Sequence, residues 1–190
     1  MEKSFFLSTD KSPKNIQIKK EIINHFVNNG NDTIAELSKG LDLSVPTVTK
    51  LIGELSDKGL VADFGKIQTA GGRYPNVYGL NPSSVYFIGV DMTRHHLNIA
   101  LMDFKGDIVK YEIGISYMYE NTTESFDVLC EHIQKFILET GELKQKIYNI
   151  CLNISGRVNP DSGYSYSSFY FSEEPISNIL SNRLNYKVTV

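Results

Sequence analysis

The stretch "TIAELSKGLDLSVPTVTKLIGELSDKG", Thr33 to Gly59, holds two short helical patterns separated by "LDLS". Thr33 and Glu36 have the Ser/Thr-x-x-Glu spacing of a capping box, so a helix starts there. It is expected to stop after Leu41, because "LDLS" reads as a tight turn and Ser44 is a good N-cap for the helix that follows. The turn position usually filled by glycine is Asp42, a residue type that tolerates a left-handed backbone better than most. In the second helix, "VPTVTKLIGELSDKG", helical spacing turns Val48, Leu51, Ile52 and Leu55 inward. Pro46, Lys50 and Gly53 are left outward, with Thr47 and Thr49 beside them.

Upstream, Ile18, Ile22, Ile23, Phe26 and Val27 recur on one face of a helix predicted over Ile16 to Asn28, with Gly30 as its stop. Three short helices with this tight turn make a helix-turn-helix. Its outward face is short, polar and nearly free of acid at its N-terminal end, which suits a helix lying in a major groove. Ser44, Pro46, Thr47, Thr49 and Lys50 are therefore candidate DNA-binding residues. The competing reading of the same face is a three-helix bundle whose surface is merely solvated. Downstream, "GLVADFGKIQTAGGRYPNVYGLNP" has a β run at Leu60 to Phe64, a glycine-bearing loop and a second β run at Asn76 to Leu80, the pattern of a hairpin and hence of a wing. Gly71 and Gly72 let the backbone approach a surface closely, and Arg73 suits a narrow, electronegative minor groove. Lys66 is a candidate phosphate contact.

The chain has 190 residues and 41% hydrophobic content, enough for two small domains with real cores. Its net charge of -3 is uneven: residues 1–80 hold ten Lys/Arg against nine Asp/Glu, and residues 81–190 nine against thirteen. Neither balance marks a nucleic-acid binder by itself, so the DNA reading rests on where the basic residues sit. Cys130 and Cys151 lack metal-ligand spacing and lie in apolar runs that read as core, which fits a reducing cytoplasm. No apolar run approaches the roughly 18 residues that a membrane span needs, and "FFL" at Phe5 to Leu7 is too short for a signal sequence.

The grammar changes near "LNPSS", Leu80 to Ser84, so the domains are expected at 1–81 and 82–190. Beyond it, strands are predicted at Val85 to Asp91, His96 to Asp103 and Asp107 to Ser116, with "DFKGD" as a hairpin turn joining the last two. A helix capped at Asn121 follows, burying Phe126, Leu129, Cys130, Ile133, Phe136 and Ile137 and ended by Gly141. "IYNICLNIS", Ile147 to Ser155, is a buried strand. The turn-rich "GRVNPDSG", a segment at Tyr164 to Phe171, a helix over Pro175 to Leu184 and "YKVTV" complete the chain. Three meander strands, a helix and another buried strand is the order of one lobe of an actin-like, ribonuclease-H-like ATPase. The fold class is α/β, with α+β character overall: a winged helix-turn-helix followed by the first lobe of such a sugar-kinase-like domain.

A winged helix-turn-helix, the wing sequence "TAGGRYP" and a "GVD" strand in this order resemble the ROK family (repressor, open reading frame, kinase) in its transcriptional-regulator branch. In kinase members the phosphate loop looks like Asp-x-Gly-Gly-Thr-Lys. Here Asp91 remains, the glycine positions are Thr93 and Arg94, and the Thr-Lys pair is His95 and His96. Glycines allow backbone N-H groups to approach phosphates without a Cβ in the way, so Thr93 and Arg94 are expected to obstruct the cradle. Adjacent His95 and His96 would point to opposite faces of a strand and are not expected to bind metal. "NISGRVNPDSG" resembles the family's Val-Pro-Gly-x-Val-Asp loop, with Ser155 in the proline position and Gly156 kept. "SSFYFSEEPI" looks like the stretch that walls the sugar pocket. By this resemblance Gly156 and Phe171 are the candidate ligand-binding residues; a tight turn and core packing are the competing roles.

In the family a strand like "YKVTV" leads into an Asn-Asp pair whose carboxylate is the catalytic base in kinases, and later into a His/Cys zinc motif. The chain ends at Val190 before either, and is expected to be a fragment of a longer protein, without catalytic residues and without a cofactor of its own. The resemblance implies a cytoplasmic bacterial regulator, most simply a repressor of carbohydrate-utilisation genes. Its implied partners are a double-stranded DNA operator, a sugar or sugar-phosphate effector and a second copy in a homodimer. The alternatives are a ROK-type sugar kinase with an accessory DNA-binding domain, or a winged helix that docks protein.

Overall fold

Pro13 opens the first helix, α1 (Pro13–Asn29), one turn before the first apolar residue of its stripe, because a proline at N1 forfeits only an N-H that no helix satisfies. The computed structural model describes residues 12–68 and 74–190. Gly71, Gly72 and Arg73 lie outside the described residues. Gly30 caps α1 at φ 80°, its N-H bonded to the Phe26 carbonyl. Ile18, Ile22 and Phe26 are buried as expected, but Val27 is 56% exposed and the fourth buried position is Lys19, whose ammonium lies 2.5 Å from Glu54. A buried lysine requires such a partner, and the hydropathy pattern does not register one.

A strand too short to leave a periodic signature, β1 (Asp32–Thr33), comes next. Thr33 then caps α2 (Ile34–Gly40), accepting from the Glu36 N-H at 3.2 Å. Asp42 takes φ 52° in the turn, the left-handed state for which its side chain is suited. The third helix, α3 (Val45–Asp57), buries Val48, Leu51, Ile52 and Leu55, as its spacing predicts. The hairpin strands β2 (Val61–Lys66) and β3 (Asn76–Leu80) pair antiparallel, and β1 adds to β3, giving the order β1-β3-β2. Gly79 in β3 has no room for a side chain: a Cβ there would run into Asn31, which approaches from the turn before α2.

The chain divides into two compact units, Met1–Ser84 and Val85–Val190. In the second, β4 (Tyr86–Met92), β5 (His96–Met102) and β6 (Ile108–Ser116) form the expected antiparallel meander. The helix α4 (Thr123–Glu139) then crosses over to β7 (Ile147–Ile154), which runs parallel to β4. A 3-10 turn, Gly141–Lys146, links α4 to β7, opened by Gly141 at φ 62°. The helix α5 (Ile176–Leu184) and the short parallel β8 (Val188–Thr189) complete the order β6-β5-β4-β7-β8. This is the first lobe of an actin-like, ribonuclease-H-like domain, so the fold read from the sequence is the one observed.

One face of this sheet carries the core: Ile88, Val90, Leu97, Ile99, Leu101, Ile150 and Leu152 pack with Phe126, Leu129, Cys130, Ile133, Phe136 and Ile137 of α4. Two expectations are corrected. Cys151 is exposed, because strand alternation sends it, with Asn153, to the face opposite Ile150 and Leu152. The cap of α4 is Thr122, which accepts from Ser125 N-H at 3.2 Å, while Asn121 instead accepts from Tyr170 N-H at 2.9 Å.

Candidate functional site

Two turns of α3 carry the residues expected to meet DNA. Ser44 is exposed and caps the helix: Thr47 N-H donates to its Oγ at 3.4 Å, and its hydroxyl pairs with Thr47 Oγ1 at 2.8 Å. Thr49 is exposed, with Oγ1 donating to the Val45 carbonyl one turn back at 2.8 Å. Pro46 and Gly53 are exposed, and Val45, the residue between cap and proline, is 52% exposed. Lys50 reaches outward, its ammonium 3.8 Å from Glu54, whose other oxygen holds the buried Lys19. Glu54 therefore supplies a fixed negative charge one turn beyond Lys50, and the first two turns of the outward face hold no acid.

Lys66 is exposed at the end of β2, opposite Asn76. The strand bulges just before it. The Asp63 carboxylate accepts from Gly65 N-H at 2.8 Å and from Asn76 Nδ2 at 2.5 Å, with Gly65 at φ 91°. Asp63, which sequence reasoning passed over, thus ties both strands together at the root of the wing. Its signal was the Asp-Phe-Gly run, a short side-chain turn that precedes a glycine. Arg73 lies outside the described residues.

In the second unit, Thr93 to His96 close as a tight turn between β4 and β5. Thr93 N-H donates to the His96 carbonyl at 3.0 Å, and Thr93 Oγ1 also donates to that carbonyl and accepts from His96 N-H at 3.1 Å. Arg94, His95 and His96 are exposed. Asp91, at the end of β4, accepts from Asn153 Nδ2 of β7 at 2.7 Å and from Asn98 Nδ2 of β5 at 3.2 Å. These asparagines share its face of the sheet through the strand register Asp91 to Asn98 and Asp91 to Asn153, and long-range register is invisible in sequence. Among the described residues, no three His, Cys, Asp or Glu side chains converge in a way that could hold a metal ion.

Gly156 has φ 114°, and a Cβ there would collide with Ser167, whose Oγ accepts from Arg157 N-H at 3.1 Å. This glycine is required by the packing of its own loop. Phe171 is 40% exposed, with its ring edge-on to Phe126 and Phe169 at 5.8 and 6.1 Å. It is half core and half surface. Gly156 and Phe171 flank one loop assembly, in which the N-H of Phe169, buried at φ 53°, donates to Tyr119 Oη at 3.3 Å.

The fold and this outward helix define a winged helix-turn-helix protein with a kinase-like second unit. Residues 17–62 match the family model described as winged helix-turn-helix DNA-binding. The chain is 24% identical over 157 residues to the xylose repressor of Caldicellulosiruptor bescii, covering 82% of this chain and 39% of the relative. It is 25% identical over 143 residues to the xylose repressor of Bacillus subtilis, covering 75% of this chain and 37% of that protein. With the DNA-binding transcriptional dual regulator NagC of Escherichia coli it shares 28% identity over 132 residues, 68% of this chain and 31% of NagC. The crystal structure of a ROK family transcriptional regulator, a homologue of the E. coli MLC protein, superposes with a TM-score of 0.67 over 93% of this chain and 45% of the other, at 19% identity. The resemblance to ROK regulators carried by the motifs is thus borne out by repressor relatives and by fold alike. The chain spans about two fifths of the length of the curated relatives it matches.

Proposed function

We propose that this protein is a transcriptional repressor that binds a duplex operator through α3 and the β2-β3 wing, and that its kinase-like unit takes part in sensing a sugar or sugar phosphate. The carrying observation is the outward face of the first two turns of α3, which holds no acid, with Lys50 and the Ser44 cap, in a segment that matches a DNA-binding family. Relatives named as xylose and N-acetylglucosamine repressors support a carbohydrate effector, and pentoses and N-acetylated hexosamines are its first candidates. A two-fold operator read by a homodimer is the arrangement such a helix ordinarily uses.

The kinase reading is weaker on chemistry. A phosphate cradle needs free backbone N-H groups and no obstructing Cβ, whereas the Thr93 side chain is bonded across its turn to His96. Asp91 is held by two asparagine amides, which stabilise it as a fixed acceptor. We therefore read the lobe as a ligand sensor without phosphoryl transfer.

The test is selection of duplexes from a randomised pool by the protein, followed by titration against salt with and without xylose or N-acetylglucosamine. Specific recovery of one sequence, with affinity falling steeply as salt rises, is the expected result. Recovery of no preferred duplex would overturn the DNA-binding reading. An operator affinity that ignores every sugar and sugar phosphate tried would overturn the effector reading.

A further inference from the structure

From the outward face of α3 we infer that this helix reads thymines through their 5-methyl groups, with Val45, Pro46 and Thr49 as the contacting residues. The inference rests on the DNA-binding reading and goes beyond it by naming the base and the chemistry of recognition. The sequence of α3, "VPTVTKLIGELSD", contains no Arg, Asn or Gln. Asn and Gln are the side chains that bind the adenine edge through two hydrogen bonds, and Arg the guanine edge, so two-point readout of adenine is closed to this helix and Lys50 is its one candidate reader of a guanine edge.

The hydroxyls are largely engaged within the helix itself. Thr49 Oγ1 gives its proton to the Val45 carbonyl, and Ser44 and Thr47 share a hydrogen bond between their oxygens. With its oxygen turned back onto the helix, the exposed Thr49 side chain offers its methyl outward. Val45, 52% exposed, and the exposed Pro46 ring extend this apolar surface over the first turn. In a major groove the thymine methyl is the matching apolar feature, and alanine or threonine methyls are its ordinary partners. Lys50, one residue beyond Thr49, adds the positive charge that draws this face to DNA and keeps the patch from being a generic apolar surface.

The experiment uses the whole chain and the best duplex selected from the randomised pool. Each thymine of that duplex is replaced singly by deoxyuridine, which removes the methyl and leaves base pairing intact. We expect at least one replacement in each half-site to weaken binding roughly three- to fivefold, the size of one buried methyl contact. Two variants separate methyl from hydroxyl. Thr49→Ser keeps the hydroxyl and should bind the thymine duplex more weakly while losing its preference for thymine over deoxyuridine at one position. Thr49→Val keeps the methyl and should retain the preference for thymine over deoxyuridine at that position. Thermal unfolding of each variant confirms an intact fold. Equal binding of all deoxyuridine duplexes by the wild-type chain overturns the inference, as does a Thr49→Ser variant that behaves as wild type while Thr49→Val fails. In both of those cases DNA binding itself stands; recovery of no duplex at all overturns the DNA-binding reading and this inference together.

Discussion

Lys50 and Gly53 occupy the same outward stripe of α3 and answer to different physics. The Lys50 ammonium sits 3.8 Å from Glu54, an exposed i,i+4 pair that contributes little to stability. Lys50→Ala should therefore leave the melting temperature nearly unchanged and cost operator binding about 1 to 3 kcal/mol if the lysine contacts a guanine edge. Quantitative gel shift at several salt concentrations checks both, and a shallower salt dependence would assign Lys50 to a phosphate instead. Gly53 is helical and exposed, with nothing within 4 Å of the position a Cβ would take. Gly53→Ala should raise stability by about 0.5 to 1 kcal/mol, read as an increase in melting temperature. If the same variant binds operator less well, the glycine is there for close approach to the groove.

Ser44 and Thr122 start α3 and α4 by the same device, a side-chain oxygen that accepts from a backbone N-H three residues on. Each alanine substitution should cost about 1 kcal/mol, the ordinary worth of an N-cap. For Thr122→Ala the loss should appear in denaturant unfolding alone. For Ser44→Ala it should appear in DNA binding as well, since fraying the first turn of α3 disorders Val45 and Pro46. The root of the wing offers a parallel case: Asp63 holds Gly65 N-H and Asn76 across the hairpin, so the aim of Lys66 depends on a carboxylate that itself needs no contact with DNA.

For the whole molecule, the two cysteines make a probe of the second unit. Burial pushes the Cys130 thiol up to about 11, and Cys151 is exposed on the opposite face of the sheet. At pH 8 one equivalent of iodoacetamide should modify Cys151 in the native protein, and Cys130 should react only after unfolding; mass spectrometry of the peptides decides it. The sign for stability follows from linkage: between the unfolded thiol value near 9 and the folded value of about 11, the unfolded state has lost the proton that the folded state keeps. Stability should fall as pH rises through that window, and Cys130→Ser should lessen the fall. ATP provides a second whole-molecule test. With the Thr93 side chain closing its turn, calorimetry should find no micromolar affinity for ATP.

Sequence alone was sufficient wherever a local pattern and its tertiary consequence coincide. Val48, Leu51, Ile52 and Leu55 face inward because helical spacing puts them on one stripe, and Asp42 adopts a left-handed turn because its short polar side chain allows it. The hairpin and the three-strand meander were legible for the same reason, since each is made of neighbours in the chain. Tertiary structure decided what depends on distant partners. Helical spacing already buried Cys130, but only the placement of α4 on one face of the sheet left Cys151, on the other face, exposed. Lys19 is buried because Glu54 of another helix meets it, and Asn98 and Asn153 join Asp91 because strand register brings three separate segments level. Charge pairing and register are set by contacts across the fold, and no periodicity along the chain encodes them.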